Sequence, residues 1–240
     1  MKKIIHKADS RGYLDHGWLK THHTFSFNTY YEPERIRFGL LRVLNDDTIE
    51  PGMGFGTHPH DNMEIVTIPL SGSLEHQDST GHSEVLNTNE VQIMSAGSGL
   101  THSEFNHSDT EKLSLLQIWV FPKQRDITPR YDQRAFNPEM RRNTILTVVS
   151  PEKNDSSMWI NQDAYFSLSS LDAGKKLDYK MKHKNNGLYV FVIDGVIETA
   201  GETLDKRDAI GLTEIDNIDI KAKVNADLLF IDVPMNLTNS

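Results

Sequence analysis

The feature that most constrains this chain is the recurrence of short β-branched and aromatic runs separated by turn residues. Phe38–Leu44, Glu64–Leu70, Val91–Met94, Leu113–Phe121, Ile145–Val149, Leu188–Ile193, Val196–Thr199 and Leu228–Val233 have the length and composition of strands. Between them lie Asn45-Asp46-Asp47, Ser71-Gly72-Ser73, Ser79-Thr80-Gly81 and Asp194-Gly195, residue types that close tight turns. Apolar residues rarely recur at helical spacing, so the chain reads as all-β, a sandwich or barrel. With 240 residues it has room for two domains. A polar stretch across Pro129–Asn143 marks the boundary, dividing the chain into 1–135 and 136–240. Glu64–Asp78 and Leu188–Thr199 share a strand, turn, strand layout, which predicts a duplicated β-barrel.

Histidine breaks that symmetry. Of the 11 histidines all but His183 lie at or before His107, so the two halves are expected to share a fold without sharing a chemistry. Cysteine is absent, which excludes disulfides, thiolate zinc sites and Cys nucleophiles, and leaves nitrogen and oxygen as the donors for any transition metal. A net charge of -9 argues against direct nucleic-acid binding, which rests on clustered Lys and Arg. The N-terminal Met-Lys-Lys-Ile-Ile-His lacks the apolar core of a signal peptide, and the longest apolar runs, such as Leu115–Phe121, are strand-length. A soluble, cytoplasmic protein without a membrane segment is expected.

Two segments carry candidate chemistry. In Gly52-Met-Gly-Phe-Gly-Thr-His58-Pro-His60, the two-residue step places both imidazoles on one face of a strand, roughly 6.5–7 Å apart at the Cα. Gly97-Ser-Gly-Leu-Thr-His102-Ser-Glu104 repeats the device with one imidazole and one carboxylate. If the two strands are neighbours, three nitrogens and one oxygen converge on one divalent transition metal, a set that suits Fe, Ni, Cu, Mn or Zn. On a six-coordinate ion, four protein ligands leave two open positions for substrate, water or dioxygen.

These spacings resemble the cupin family. Gly52, His58, His60 and Glu64 match its first motif, with Gly72 one residue late, and Gly99, His102 and Asn106 match its second; Val91 and Gly97 stand where a glycine and a proline would be. Glu104, between the motif histidine and Asn106, gives the carboxylate a different origin from the usual first-motif glutamate. Together with His22-His-Thr-Phe-Ser-Phe, His58-Pro-His-Asp-Asn-Met-Glu-Ile-Val-Thr, Ala96-Gly-Ser-Gly-Leu-Thr-His-Ser-Glu-Phe-Asn and Leu116-Gln-Ile-Trp-Val, that variation is similar to the pirin family over about the first 130 residues. The resemblance implies two cupin (jelly-roll β-barrel) domains and one metal, iron first among those above, held by His58, His60, His102 and Glu104. It also implies a C-terminal cupin without metal ligands: Lys182-His183-Lys184 stands where a His-x-His would be, and Leu204–Leu212 offers no second-motif histidine.

The remaining candidates receive plainer readings. Glu64 is read as a partner orienting an imidazole, in preference to a satisfied polar strand residue. His22 and His23 are assigned to packing of the N-terminal arm, His76 and His82 to solvated positions beside a hairpin, and His107 to the surface. Phe25, Phe27, Phe55, Phe105 and Trp119 either line the pocket or fill the barrel. The resemblance further implies quercetin 2,3-dioxygenase activity, in which O2 opens a flavonol and carbon monoxide is released, with Glu104 as catalytic base. The alternative it implies is a metal-containing regulatory module that binds a protein partner.

Overall fold

The computed structural model describes residues 1–236, and among them the only helical turns are the short 3-10 segments Ala8–Ser10 and Pro138–Arg141. The all-β expectation holds. Each half folds as a seven-stranded sheet facing a four-stranded one, the two-layer form of a jelly-roll barrel. In the first half the large sheet runs Arg130–Ala135, Glu90–Ser95, Glu64–Ser71, Leu113–Val120, Leu41–Ile49, Leu19–His23, Gly12–Asp15; the small sheet runs Gly54–His60, Leu100–Asn106, Ser73–Asp78, Ser83–Asn87. The second half repeats this layout, with Lys2–His6, Ala209–Thr213, Asn186–Asp194, Ala226–Pro234, Tyr165–Leu171, Leu146–Ser150, Met158–Trp159 in the large sheet and Lys176–Lys180, Asn217–Ala222, Ile197–Thr199, Glu202–Leu204 in the small one.

Two edge strands depart from the sequence reading. Lys2–His6, which the division at residue 135 groups with the first half, is hydrogen-bonded antiparallel to Ala209–Thr213 in the second. Arg130–Ala135, read as part of a polar boundary, pairs with Glu90–Ser95 as the corresponding edge of the first half. An edge strand with half-exposed residues on both sides has no apolar alternation, so its composition is that of a loop.

The two large sheets share a core. Val66, Ile68, Leu116 and Ile118 from the first half pack in one cluster with Phe166, Leu168, Leu229 and Ile231 from the second. Strands such as Glu64–Ser71 are therefore buried on both faces and read as continuous apolar runs. Each aliphatic side chain in such a seam contributes about 1.5–3 kcal/mol relative to exposure. Inside the first barrel the apolar filling is small: Leu19, Ile49, Leu74, Leu86, Leu113 and Leu115 occupy one end. Ile65, Met94 and Leu100 form a second small cluster, and polar side chains such as Thr67, Gln92 and Gln117 pair between the two. Among the described residues no helix is long and apolar enough to cross a membrane.

Candidate metal centre

Gly54–His60 and Leu100–Asn106 are antiparallel neighbours, with His102 opposite His58 and Leu100 opposite His60. Facing residues of such a pair project to the same side, so His58 and His102 enter the barrel together, and the two-residue period brings His60 and Glu104 with them. The register shifts between His102 and Glu104: two residues on that strand span three, His58 to Phe55, on its neighbour. Such a bulge re-aims side chains locally. The backbones approach closely beside it, since a Cβ on Gly54 would lie 2.2 Å from the Glu104 carbonyl oxygen. Glycine is required there.

The rings of His58, His60 and His102 form a triangle with centroids 4.9, 4.4 and 4.8 Å apart. One nitrogen from each lies within 4.8 Å of the others. Glu104 is outside that mutual triangle and closes a second one, with His102 and His76, on the same 4.8 Å limit. The four residues singled out from sequence thus meet as two overlapping triads that share His102. His58 Nδ1 donates to the Gly56 carbonyl oxygen at 2.8 Å, which fixes its tautomer and leaves Nε2 as a free lone pair.

The donor set fits a divalent transition ion. Both ring nitrogens of His102 and Oε1 of Glu104 are buried without a hydrogen-bond partner among the described residues. Each such atom costs about 1–3 kcal/mol unless a partner is supplied. A cation satisfies nitrogen and carboxylate lone pairs together. Burial first, then repulsion from His58 and His60, pushes His102 down to about 2; burial and then His58 push His60 down to about 4. Both imidazoles are neutral near pH 7, the form that binds metal. Burial pushes Glu104 up to about 7, against the opposing hydrogen bond from Gln117.

Gln117 was not anticipated. Its Nε2 donates to Glu104 Oε2 at 2.7 Å, and its Oε1 accepts from Trp119 Nε1 at 3.2 Å, so the indole fixes the amide and the amide fixes the carboxyl. His58, His60, Glu104, Gln117 and Trp119 open onto a cavity of about 410 Å³. Its other walls include Trp18, Phe27, Phe55, His23, Asn45 and Asp47. Phe25 is instead part of the seam core, and Phe105 is partly exposed on the outer face of its strand.

Three plain readings need correction. His76 is fully buried rather than solvated, because it faces Glu104 across the Leu100–Asn106 strand and points inward. The signal that finds it is Leu74, an inward apolar residue two positions earlier. Glu64 does not orient an imidazole: it opens a strand of the large sheet, where its Oε2 accepts from Ser95 Oγ at 2.8 Å and from the Asn161 backbone N–H at 3.1 Å. His23 does more than pack the arm, since its Nδ1 lies 2.8 Å from Asn45 Oδ1 on the cavity wall. His22 packs against Tyr13, and His107 is half-exposed beside Glu75, as expected.

Residues 5–120 match the Pirin family model and residues 147–233 the model described as quercetinase C-terminal cupin domain. The chain is 40% identical over 230 residues to a protein named quercetin 2,3-dioxygenase from Escherichia coli (strain K12), covering 96% of this chain and 98% of that one. The chain belongs to the pirin family. A crystal structure of bacterial pirin YhhW in complex with nickel(II) from Escherichia coli matches it with a TM-score of 0.92 at 39% identity, over 97% of this chain and 99% of the other. A pirin-like protein from Caulobacter vibrioides is 37% identical, with 93% and 96% of the two chains covered. Like the nickel-bound pirin, this pirin carries a donor cluster for a divalent metal, in the first of its two cupin domains.

Proposed function

We propose that this protein is a metal-dependent dioxygenase of the pirin type that cleaves flavonols such as quercetin with O2 and releases carbon monoxide. The metal ligands in this reading are His58, His60, His102 and Glu104, with iron placed first and Ni, Cu, Mn and Zn as the other candidates. The observation that carries the reading is the convergence of three imidazole nitrogens within 4.8 Å, two of them from His58 and His60 on the wall of an aromatic-lined cavity that Glu104 also lines. The 40% identical relative named quercetin 2,3-dioxygenase supports the choice of substrate.

A bound divalent ion supplies Lewis acidity that lowers the pKa of the flavonol 3-hydroxyl. The protein's own groups do the rest. A cavity of about 410 Å³ is of the size that takes a small planar ligand. Phe27 meets Trp119 edge-on at 5.2 Å and Trp18 meets Phe55 edge-on at 5.2 Å, giving stiff apolar walls that hold flat rings and keep out water. Glu104 accepts the 3-hydroxyl proton. Gln117 holds Oε2, which fixes the carboxyl at the cavity wall.

The test compares metal-loaded wild type with Glu104→Gln, following O2 uptake and carbon monoxide release with quercetin. Turnover of the variant should fall by about 10²–10⁴-fold while its metal content persists. Normal quercetin consumption by Glu104→Gln would remove the proposed base, and absence of carbon monoxide from the wild type would remove the reaction. Metal analysis of protein purified without added metal identifies the native ion. We assign the activity to the cytoplasm, in keeping with a chain free of cysteine, and cell fractionation checks it.

A further inference from the structure

We propose that His76, together with His102 and Glu104, forms an inner metal position that shares those two residues with the four-ligand position and holds a divalent transition ion when His58 and His60 are removed. The inference rests on the reading that the first barrel binds such an ion, and it adds a fifth donor, His76, to the four already named.

The strand Ser73–Asp78 pairs with Leu100–Asn106 on the side away from Gly54–His60, with His76 opposite Glu104 and Asp78 opposite His102. All four side chains therefore share the inward face. A ring nitrogen of His76, a ring nitrogen of His102 and a carboxylate oxygen of Glu104 lie within 4.8 Å of one another, and all three residues are buried. His76 Nε2 lies 3.2 Å from Asp78 Oδ2, while its Nδ1 is buried without a partner among the described residues. A carboxylate that takes one N–H and leaves the other nitrogen bare is the arrangement by which proteins prepare a metal-binding histidine. Asp78 is itself fixed, by Thr80 N at 2.8 Å and Thr80 Oγ1 at 2.6 Å. Tyr131 stacks on the His76 ring at 4.6 Å and holds it from the facing sheet.

The orphaned atoms exceed what one position uses. The four-ligand position uses one nitrogen of His102 and one oxygen of Glu104, yet the second His102 nitrogen and His76 Nδ1 are also unpartnered among the described residues. Two nitrogens and one carboxylate oxygen are donors found in Zn, Ni, Co or Fe sites.

The experiment titrates metal-free protein with Co2+, following visible absorption and bound metal per chain. Wild type binds, and a His58→Ala, His60→Ala double variant should still bind one Co2+, at least about tenfold more weakly. Adding His76→Gln should abolish that residual binding, and adding Asp78→Asn instead should weaken it by about 10–100-fold. Should the triple variant with His76→Gln not fold, judged by circular dichroism, the Asp78→Asn variant decides. A folded double variant that binds no Co2+, or residual binding unmoved by the His76 and Asp78 changes, overturns the inner position and leaves the four-ligand reading intact. Wild type that binds no Co2+ overturns both.

Discussion

The two halves have the same sheet order and opposite interiors. In the first barrel the inward positions of the small sheet include His58, His60, His102, Glu104, His76 and Asp78, and four of their atoms, His76 Nδ1, both His102 nitrogens and Glu104 Oε1, are buried without protein partners among the described residues. In the second, the matching strands Lys176–Lys180, Asn217–Ala222 and Ile197–Thr199 turn Leu177, Tyr179, Ile220, Ala222 and Ile197 inward, against Leu228 and Phe230 of the large sheet. Tyr179 stacks on Phe230 at 5.2 Å and donates to Asp232 at 3.2 Å, so even its polar end is satisfied. One duplicated frame thus serves as a filled core and as a polar chamber. The difference teaches that the frame's stability does not require the first barrel's interior to be wholly apolar, because the seam between the large sheets and the second core supply much of the burial.

The largest expected contrast is in metal. His102→Ala should remove stoichiometric metal and lower quercetin turnover below about 1% of wild type, whereas His183→Ala in the second half should change neither. His183 sits near Tyr165 at 3.2 Å in a turn after the strand that matches Gly54–His60. Metal analysis and oxygen uptake check both variants; metal lost with His183→Ala would break the comparison. Next comes the reciprocal change. Tyr179→Ala should lower stability by about 3–5 kcal/mol in urea unfolding, through a cavity and a bared Asp232, while metal per chain stays at the wild-type value.

How much of this was legible in the sequence follows from burial. Strands buried on one or both faces, such as Glu64–Ser71 and Leu113–Val120, announce themselves by β-branched and apolar runs. Half-exposed edges such as Arg130–Ala135 do not, and Tyr131, which stacks on His76, is hidden in one of them. At the candidate site the two-residue steps of His58 and His60 and of His102 and Glu104 were readable because a strand's period is local. The partnership of Glu104 with Gln117 and His76 was not, since it depends on which strand lies beside which. Glu64 shows the converse: it matches a motif by spacing, but its strand belongs to the large sheet and its carboxyl reaches the other half. The second half's loss of ligands was expected at Leu204–Leu212, whereas the strand that matches Leu100–Asn106 is Asn217–Ala222.

Gln117→Leu sharpens the comparison within one strand position. Gln117 lies on the central strand of the first large sheet, whose counterpart in the second half, Ala226–Pro234, turns Leu228 and Phe230 inward. A leucine there imitates the second barrel. It frees Glu104 Oε2 and leaves Trp119 Nε1 without its acceptor. Turnover should fall by about 10–100-fold with metal retained. Unchanged turnover would show that Glu104 needs no tether.

The smallest expected effect tests the seam itself. Glu64 is buried where the halves meet, and burial pushes it up to about 7, with the hydrogen bonds from Asn161 and Ser95 opposing the rise. In the unfolded chain a glutamate titrates near 4.5. Below that value both states hold the proton and the residue adds no pH dependence. Between about 4.5 and 7 the unfolded chain releases its proton while the folded one keeps it, so stability falls as pH rises through that window and levels off above it. Glu64→Gln keeps an acceptor for Asn161 and removes the titration. Its advantage over wild type in urea midpoint should therefore be larger at pH 8 than at pH 5, by an amount of order 1–3 kcal/mol. A difference between the two proteins that does not change with pH would mean that the carboxylate is already ionised at the seam, and that the halves are joined there by charge rather than by a neutral hydrogen bond.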